Sequence, residues 1–532
     1  MGIFISIPKT IECALIAVAF AALLSFTAFR QAGVLQSAGY SARKYCKWLK
    51  KKGNLALERQ LMLAGMCFLS AAVVALCFSF AKEWAAVVSL APMLFFFIVY
   101  FLADRKAVLR SKAVFTPRMT RLYALMLFIY LLCAYLFAVL LNFAAYVWGN
   151  EIFTVLRYIP LAALPALTIP LMLLSNCISK IYETPVNNGY IKKAKEKIKN
   201  SDIKIIGITG SYGKTSTKFI LNTLLSKKYR VLTTPSSHNT PIGIALCVNS
   251  HNLSDYDIFI AEMGARHTGD ISELCAICPP DVSVITGVCG QHLETFLTFE
   301  NIVKAKGEIL ENTKEKAVVA EDCYDLFAEY AVDKIKSDNV KDIECSSSGT
   351  EFTLIIGGEE KRIRTKLLGR HSAYNIALAA NAAFIAGMTA DEIAEAAEGI
   401  ECVEHRLQPV EADGVHILDD GYNSNVKGAQ AAIDVLKLFG GKKIVVTPGL
   451  VELGVLEEKE NFELGKRLVG LDFVILVGDT LVQTVKRGYT DGGGDGDKIV
   501  TAPTLEAAKK VLATVLAKGD TVLFLNDLPD AV

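Results

Sequence analysis

At 532 residues, 52% of them hydrophobic, and a mean hydropathy of +0.36, the chain is too long for one domain and too apolar for a disordered protein or a water-soluble enzyme throughout. A formal net charge of +1, from 56 Lys and Arg against 55 Asp and Glu, removes any global electrostatic case for nucleic acid. Thirteen cysteines scattered without a pairing pattern exclude a secreted disulfide framework and fit a reducing cytosol; Cys275 and Cys278, a lone C-x-x-C, read as packing residues.

The apolar excess sits at the front. Runs long enough to cross a hydrocarbon core of about 30 Å occur at Ile11–Phe29, Leu61–Phe80, Trp84–Leu102, Leu122–Leu141 and Ile152–Leu174, five candidate spans. Arg43, Lys44, Lys47, Lys50, Lys51 and Lys52 crowd the first loop, and Arg105, Lys106, Arg110, Lys112 and Arg118 the third, whereas Asn142–Glu151 carries no positive charge. The positive-inside rule then places the N-terminus outside and everything after residue 180 in the cytoplasm. The first run has only Lys9 before it and no small-residue cleavage site after it, so it reads as an anchor rather than a signal peptide. The expected arrangement is a multi-pass cell-membrane region over residues 1–180, an anchor and docking platform rather than a transport pathway.

After Tyr190–Lys199, which reads as a basic amphipathic helix at the membrane surface, the segment Ile203–Thr217 reads IKIIGITGSYGKTST. An apolar strand runs into a loop carrying Gly210, Ser211, Gly213, Lys214, Thr215 and Ser216, and a helix follows. Such a loop aims unpaired backbone N–H groups at one spot, where the helix dipole also favours an anion. Lys214 would reach nucleotide phosphates and the Thr215 hydroxyl a magnesium ion. The usual P-loop glycine five residues before Gly213 is Ile208 here, so the match is to the shorter form T-G-x-x-G-K-T. Tyr256–Ala261 reads as a strand ending in Glu262, a carboxylate placed where a magnesium ligand would sit. Val282–Thr286 reads as another strand, and Ile302–Leu310 as a helix. On pattern alone Lys306 could equally be a solvated lysine like Lys304, and His292 alone is more readily structural.

From residue 401, strands at Lys443–Thr447, Phe473–Val477 and Thr521–Phe524 alternate with helices at Glu457–Leu468 and Leu505–Leu516, the pattern of an open, largely parallel sheet. Asp491–Asp497, DGGGDGD, reads as a surface loop without EF-hand spacing.

The motifs TGSYGKTST, AEMGARHTGDI, ITGVCGQHLETFLTFENIVKAKGEIL, GRHSAYNIALAANAA, EHRLQ and DDGYNSNVKGAQAAIDVL, in this order, resemble the Mur ligase family, and within it the ligases that add D-alanyl-D-alanine to a UDP-muramoyl-tripeptide. The resemblance covers roughly residues 185–530. It implies a central P-loop ATPase domain (181–400) and a C-terminal Rossmann-like domain (401–532), following the α-helical membrane region. It implies that Lys214 contacts ATP phosphates, that Thr215, Glu262 and His292 serve magnesium, and that Lys306 is carbamylated by carbon dioxide and becomes a further oxygen ligand. Asn375 matches an adenine-contacting asparagine, Arg406 an arginine reaching the nucleotide phosphates, and Asp420 an aspartate near the ribose. Ser372, Gly421 and Val426 depart from the family pattern, as does the C-terminal FLNDLPDAV, and no UDP-binding domain is recognisable ahead of the P-loop.

The implied activity is an ATP-dependent amide ligase working on a cell-wall precursor through an acyl phosphate, with ATP and Mg²⁺ as cofactors. A lipid-linked acceptor at the bilayer is attractive, because two reactants on one surface meet at raised effective concentration. The alternatives are a membrane ligase of the same chemistry on another polymer such as poly-γ-glutamate, and a non-catalytic nucleotide-binding scaffold with a membrane partner protein. A transporter is disfavoured by the lack of a transporter ATPase signature.

Overall fold

Long apolar runs without strand-like alternation draw the front of the chain into helices, and β-branched runs after residue 203 draw the rest into sheets. The computed structural model describes residues 7–50, 56–77, 94–100, 102, 113–147, 158–235, 238–291, 293–422, 425–479 and 481–526. The chain divides at Val186 into two units, each taken by itself.

In the first unit, helices Ile7–Ser37, Ala56–Cys77 and Pro117–Val147 are joined by the start of a long helix, Tyr158–Lys199. Small residues at Ala17, Ala21, Ala28 and Ala32 are buried and let Ile7–Ser37 lie close along Pro117–Val147, whose Met119, Leu122, Met126 and Tyr130 fill the other side. Polar ties accompany the apolar ones: the Gln36 side chain exchanges two hydrogen bonds with the Val114 backbone at 2.7 and 2.9 Å, and Arg121 pairs with buried Glu183 at 2.7 Å. Among the described residues one stretch, Pro117–Leu140, is long and apolar enough to cross a membrane, or two if the bent pair Ala17–Ser25 and Thr27–Ser37 counts as one span. Residues 78–93, 103–112 and 148–157, which belong to the expected second, third and fifth spans and their loops, lie outside the described residues.

The second unit opens with the end of that long helix. Its basic surface is as the sequence suggests, but its apolar side is taken by protein: Ala194 and Ile198 are buried in the main core, and Lys197 donates to the Val248 carbonyl at 3.0 Å and to that of His251. The helix expected at a membrane surface thus also covers part of the next domain's core.

Strands β1 (Lys204–Thr209), β2 (Val231–Thr233), β3 (Ile258–Glu262), β4 (Val282–Ile285), β5 (Lys316–Ala320) and β6 (Asp333–Ser337) form a parallel sheet in the order β2-β3-β1-β4-β5-β6. Covered on both faces, its central strands read as unbroken apolar runs; β3 and β4 are buried at every position. The chain moves to one side of β1 first and crosses to the other between β3 and β4, so the crevice at the carboxyl end of β1 is the expected ligand position. Strands β7 (Val340–Ser346), β8 (Gly349–Ile356) and β9 (Glu359–Thr365) make a separate antiparallel sheet, β8 alternating buried and half-buried residues with period two.

The alanine-rich helix Arg370–Ile385 buries Ala373, Ala377, Ala379, Ala380, Ala382 and Ala383 and so packs closely on helix Lys214–Leu225. A second sheet, from β10 (Gln408–Ala412), β11 (Val415–Asp420), β12 (Lys443–Thr447), β13 (Phe473–Val477), β14 (Ile499–Ala502) and β15 (Thr521–Leu525), runs β10-β11-β15-β12-β13-β14, parallel except for β10.

Candidate active site

The loop after β1 takes its shape from its glycines. Gly213 has φ +76° and ends the loop as the N-cap of helix Lys214–Leu225, with no side chain capping the helix. The first-turn N–H groups are therefore left for an anion. Ser211 ties the loop to the end of β4, its N–H donating to the Gly287 carbonyl at 2.8 Å and its hydroxyl to that of Cys289 at 3.2 Å. Lys214 curls back over the loop and donates to the Gly210 carbonyl at 2.7 Å; burial lowers its pKa, partly offset by Glu262.

Next to this loop, β3 delivers Glu262 into the interior. One oxygen, Oε2, accepts from the Thr215 hydroxyl at 3.1 Å and from the Lys218 ammonium at 3.1 Å; the other accepts from the Asn239 amide at 3.1 Å. Lys306 comes from helix Phe299–Glu311, which its amphipathic pattern presses against the sheet. The amine sits 5.8 Å from the Phe296 ring centre, and burial, then the charge of Lys214, brings its pKa down from 10.5 to about 7.

Two adjoining cavities result. One of about 460 Å³ is lined by the loop residues Gly210 to Ser216 and by Asn239, Glu262, Lys306, Arg406, Arg266, His267 and Asp270. The other, about 590 Å³, holds Asn375 and Asp420, with His371, Tyr374 and Lys427. Gly213, Ser216 and Arg406 border both. Asn375 reaches the first turn of the helix that follows the loop, its Oδ1 accepting from the Thr217 hydroxyl at 3.5 Å.

Arg406 is placed by a strained connection: His405 and Leu407 on either side have φ of +58° and +49°, conformations costly for residues with a β-carbon. Its guanidinium donates to the Tyr422 carbonyl at 3.1 Å and lies 4.5 Å from that ring's centre, while Asp420 accepts from the Leu407 N–H at 3.2 Å.

Of the residues expected from sequence, Gly210, Ser211, Gly213, Lys214, Thr215, Ser216, Glu262, Lys306 and Arg406 meet in the first cavity, and Asn375 and Asp420 in the second. His292 lies outside the described residues. Cys275 and Cys278 are free and buried, away from either cavity's lining. Sequence reasoning missed Lys218, Asn239, and the cluster in which Lys427 contacts both Tyr212 of the loop and Asp322. Asn239 did carry a signal: it immediately precedes Thr240, which caps helix Pro241–Ser250.

Among the described residues no three His, Cys, Asp or Glu side chains converge as a self-sufficient metal site. A magnesium ion that arrives with nucleotide phosphates needs less, one or two protein oxygens beside the phosphates and water. Thr215 Oγ1 and Glu262 Oε2 stand 3.1 Å apart, matching neighbouring corners of a magnesium octahedron, about 3.0 Å for bonds of about 2.1 Å. The residues present fit such an ion.

Residues 208–383 match the Mur ligase middle domain, and residues 405–526 the Mur ligase glutamate ligase domain. The UDP-N-acetylmuramoyl-tripeptide–D-alanyl-D-alanine ligase of Escherichia coli is 29% identical over 347 residues, 62% of this chain and 76% of that one; that of Bacillus subtilis is 31% identical, over 51% of this chain and 62% of its own length. Among solved structures, the MurF ligase of Thermotoga maritima in complex with ADP aligns with a TM-score of 0.59 at 31% identity, covering 65% of this chain and 81% of that one. MurF of Acinetobacter baumannii, at 23% identity and a TM-score of 0.60, shares the fold.

Proposed function

The chain belongs to the Mur ligase family, and from that premise we propose that it is an ATP-dependent ligase of the MurF kind, joining D-alanyl-D-alanine or a related amine to the peptide carboxylate of a peptidoglycan precursor. The observation that carries this reading is the meeting of Lys214, Thr215, Glu262 and Lys306, from three separate elements, in one cavity beside a second that holds Asn375 and Asp420. The second cavity has the lining for a nucleoside, and the loop N–H groups between the two receive its phosphates. A carboxylate oxygen of the acceptor attacks the terminal phosphorus and ADP leaves; the amine then attacks the acyl-phosphate carbon and phosphate leaves. Lys214 and Arg406 hold the transferring phosphate, and catalysis rests on positioning and charge neutralisation rather than a covalent enzyme intermediate. Thr215 and Glu262 would hold the magnesium, which would supply charge neutralisation at the phosphate oxygens.

Lys306 belongs to this chemistry as a carbamate. An amine that titrates near 7 is substantially uncharged at neutral pH, so its nitrogen can add to carbon dioxide, lose a proton, and leave a carboxylate in place of an ammonium. Buried lysines are otherwise rare, and a scaffold that merely senses nucleotide has no use for one here.

The first unit is proposed to be a membrane anchor with the catalytic domains on the cytoplasmic side, supported by the apolar stretch Pro117–Leu140 and the basic loops. An acceptor bound to a lipid carrier follows as the finer proposal. It fails if a protein beginning near Gly189, which retains Ala194 and Ile198 for the core, turns over a UDP-linked peptide as fast as the full chain. The ligase reading itself is tested by ADP release from the full-length protein given ATP, Mg²⁺, UDP-muramoyl-tripeptide and D-alanyl-D-alanine; release dependent on both acceptor and amine supports it.

A further inference from the structure

Glu262 has a partner that the ligase chemistry does not by itself demand. Lys218, one helical turn beyond Lys214, is 1% exposed, and its ammonium contacts Glu262 Oε2 at 3.1 Å, donates to the Thr234 carbonyl at 2.9 Å and lies 5.2 Å from the Phe219 ring centre. Glu262 is 2% exposed and also lacks bulk water. A lone buried charge of either sign is costly, so each of these two requires a counter-charge close by. The same Oε2 accepts the Thr215 hydroxyl, the pair of oxygens matched above to magnesium. Two cations therefore claim one carboxylate oxygen, one built into the chain and one brought from solution. The ammonium also fixes the carboxylate's orientation, together with the Asn239 amide on the other oxygen. Ion and ammonium, both positive, weaken each other's hold on it.

We propose that Lys218 is a positioning residue acting as the resident counter-cation of Glu262: it keeps the carboxylate aimed at the metal position between turnovers and, by partly neutralising it, makes divalent-cation binding depend on nucleotide phosphates. This rests on the magnesium role given to Glu262 above. Its consequence is that metal enters and leaves with the nucleotide instead of lodging permanently in the protein.

The test is Mn²⁺ binding to the full-length protein, read from the EPR signal of free Mn²⁺ with and without ADP. Wild-type protein is expected to bind Mn²⁺ weakly alone and far more tightly with ADP. Lys218→Met removes the charge at similar length, and its Mn²⁺ affinity without ADP should rise on the order of tenfold or more, because the cation in direct contact with the carboxylate is gone and only the more distant charges of Lys214 and Arg406 still oppose the metal. Lys218→Arg should keep the dependence on ADP, and Lys218→Met combined with Glu262→Gln should lose nucleotide-free binding again. Lys218→Met binding Mn²⁺ no more tightly than wild type overturns the proposal. Should that variant fail to fold without metal, refolding across a Mn²⁺ series decides: recovery with Mn²⁺ supports the proposal, and no recovery while the double variant folds overturns it. Wild-type protein that binds no Mn²⁺ even with ADP would instead strike the magnesium reading of the site, and this inference with it.

Discussion

Three lysines within one site do three different things, and only their surroundings tell them apart. Lys214 is legible in sequence because a lysine after Gly213 in a strand-loop-helix setting has few other uses. Lys306 and Lys218 are not, since a lysine on a helix usually points to water and local spacing does not reveal which one the fold buries. For Lys306 the physical consequence is a pH dependence. It titrates at about 7 in the fold against 10.5 when exposed, so between these values the unfolded chain carries one more proton, and raising the pH across that window stabilises the fold. Melting temperatures of wild-type and Lys306→Met proteins, taken from pH 7 upward in buffer freed of carbon dioxide so that the amine is unmodified, should show a steeper rise in the wild type. In activity, Lys306→Ala should lose nearly all ADP release and regain part of it with acetate supplied as a substitute carboxylate; full activity without rescue would discredit the carbamate.

Strands showed themselves where burial on both faces forces an unbroken apolar run: β4, β12 and β13 lie within a residue of where the sequence puts them. The antiparallel sheet β7–β9 escaped, although β8 alternates with period two, because its flanking strands are mostly polar and half-exposed, and resemble loop in composition. The phosphate loop shows how tightly an element can be specified. A β-carbon on Gly210 would stand 2.2 Å from the Thr286 hydroxyl and 3.1 Å from the Gly287 carbonyl, at a φ of +153°. Gly210→Ala should therefore distort the loop and abolish ADP binding in calorimetry while the far sheet β10–β15 stays folded; unchanged ADP affinity would show that the loop does not cradle phosphate.

At the scale of the molecule, the catalytic unit is two domains meeting over the phosphate loop. Ion pairs tie them at two places, Lys427 with Asp322 and Arg266 with Glu452 at 3.7 Å. Half-exposed pairs contribute little to stability, roughly 0–1 kcal/mol each, so their expected role is to favour the closed arrangement in which Arg406 would reach the phosphates. Lys427→Ala combined with Glu452→Ala should lower the melting temperature only slightly yet raise the KM for ATP several-fold; an unchanged KM would mean that closure does not use them. Sequence could place Lys427 after the asparagines of its motif, but not against Tyr212 and Asp322, contacts that span 215 and 105 positions of chain.

The central question is whether this pocket makes an acyl phosphate for an amine to capture. The most direct measurement is ADP release by the full-length protein across cell-wall precursors and amines, with the ligated product identified by mass. The predicted result is one ADP per amide bond formed, abolished by Glu262→Gln and Lys306→Ala; ATP hydrolysis indifferent to acceptor and amine, or no turnover with any pair, would contradict it.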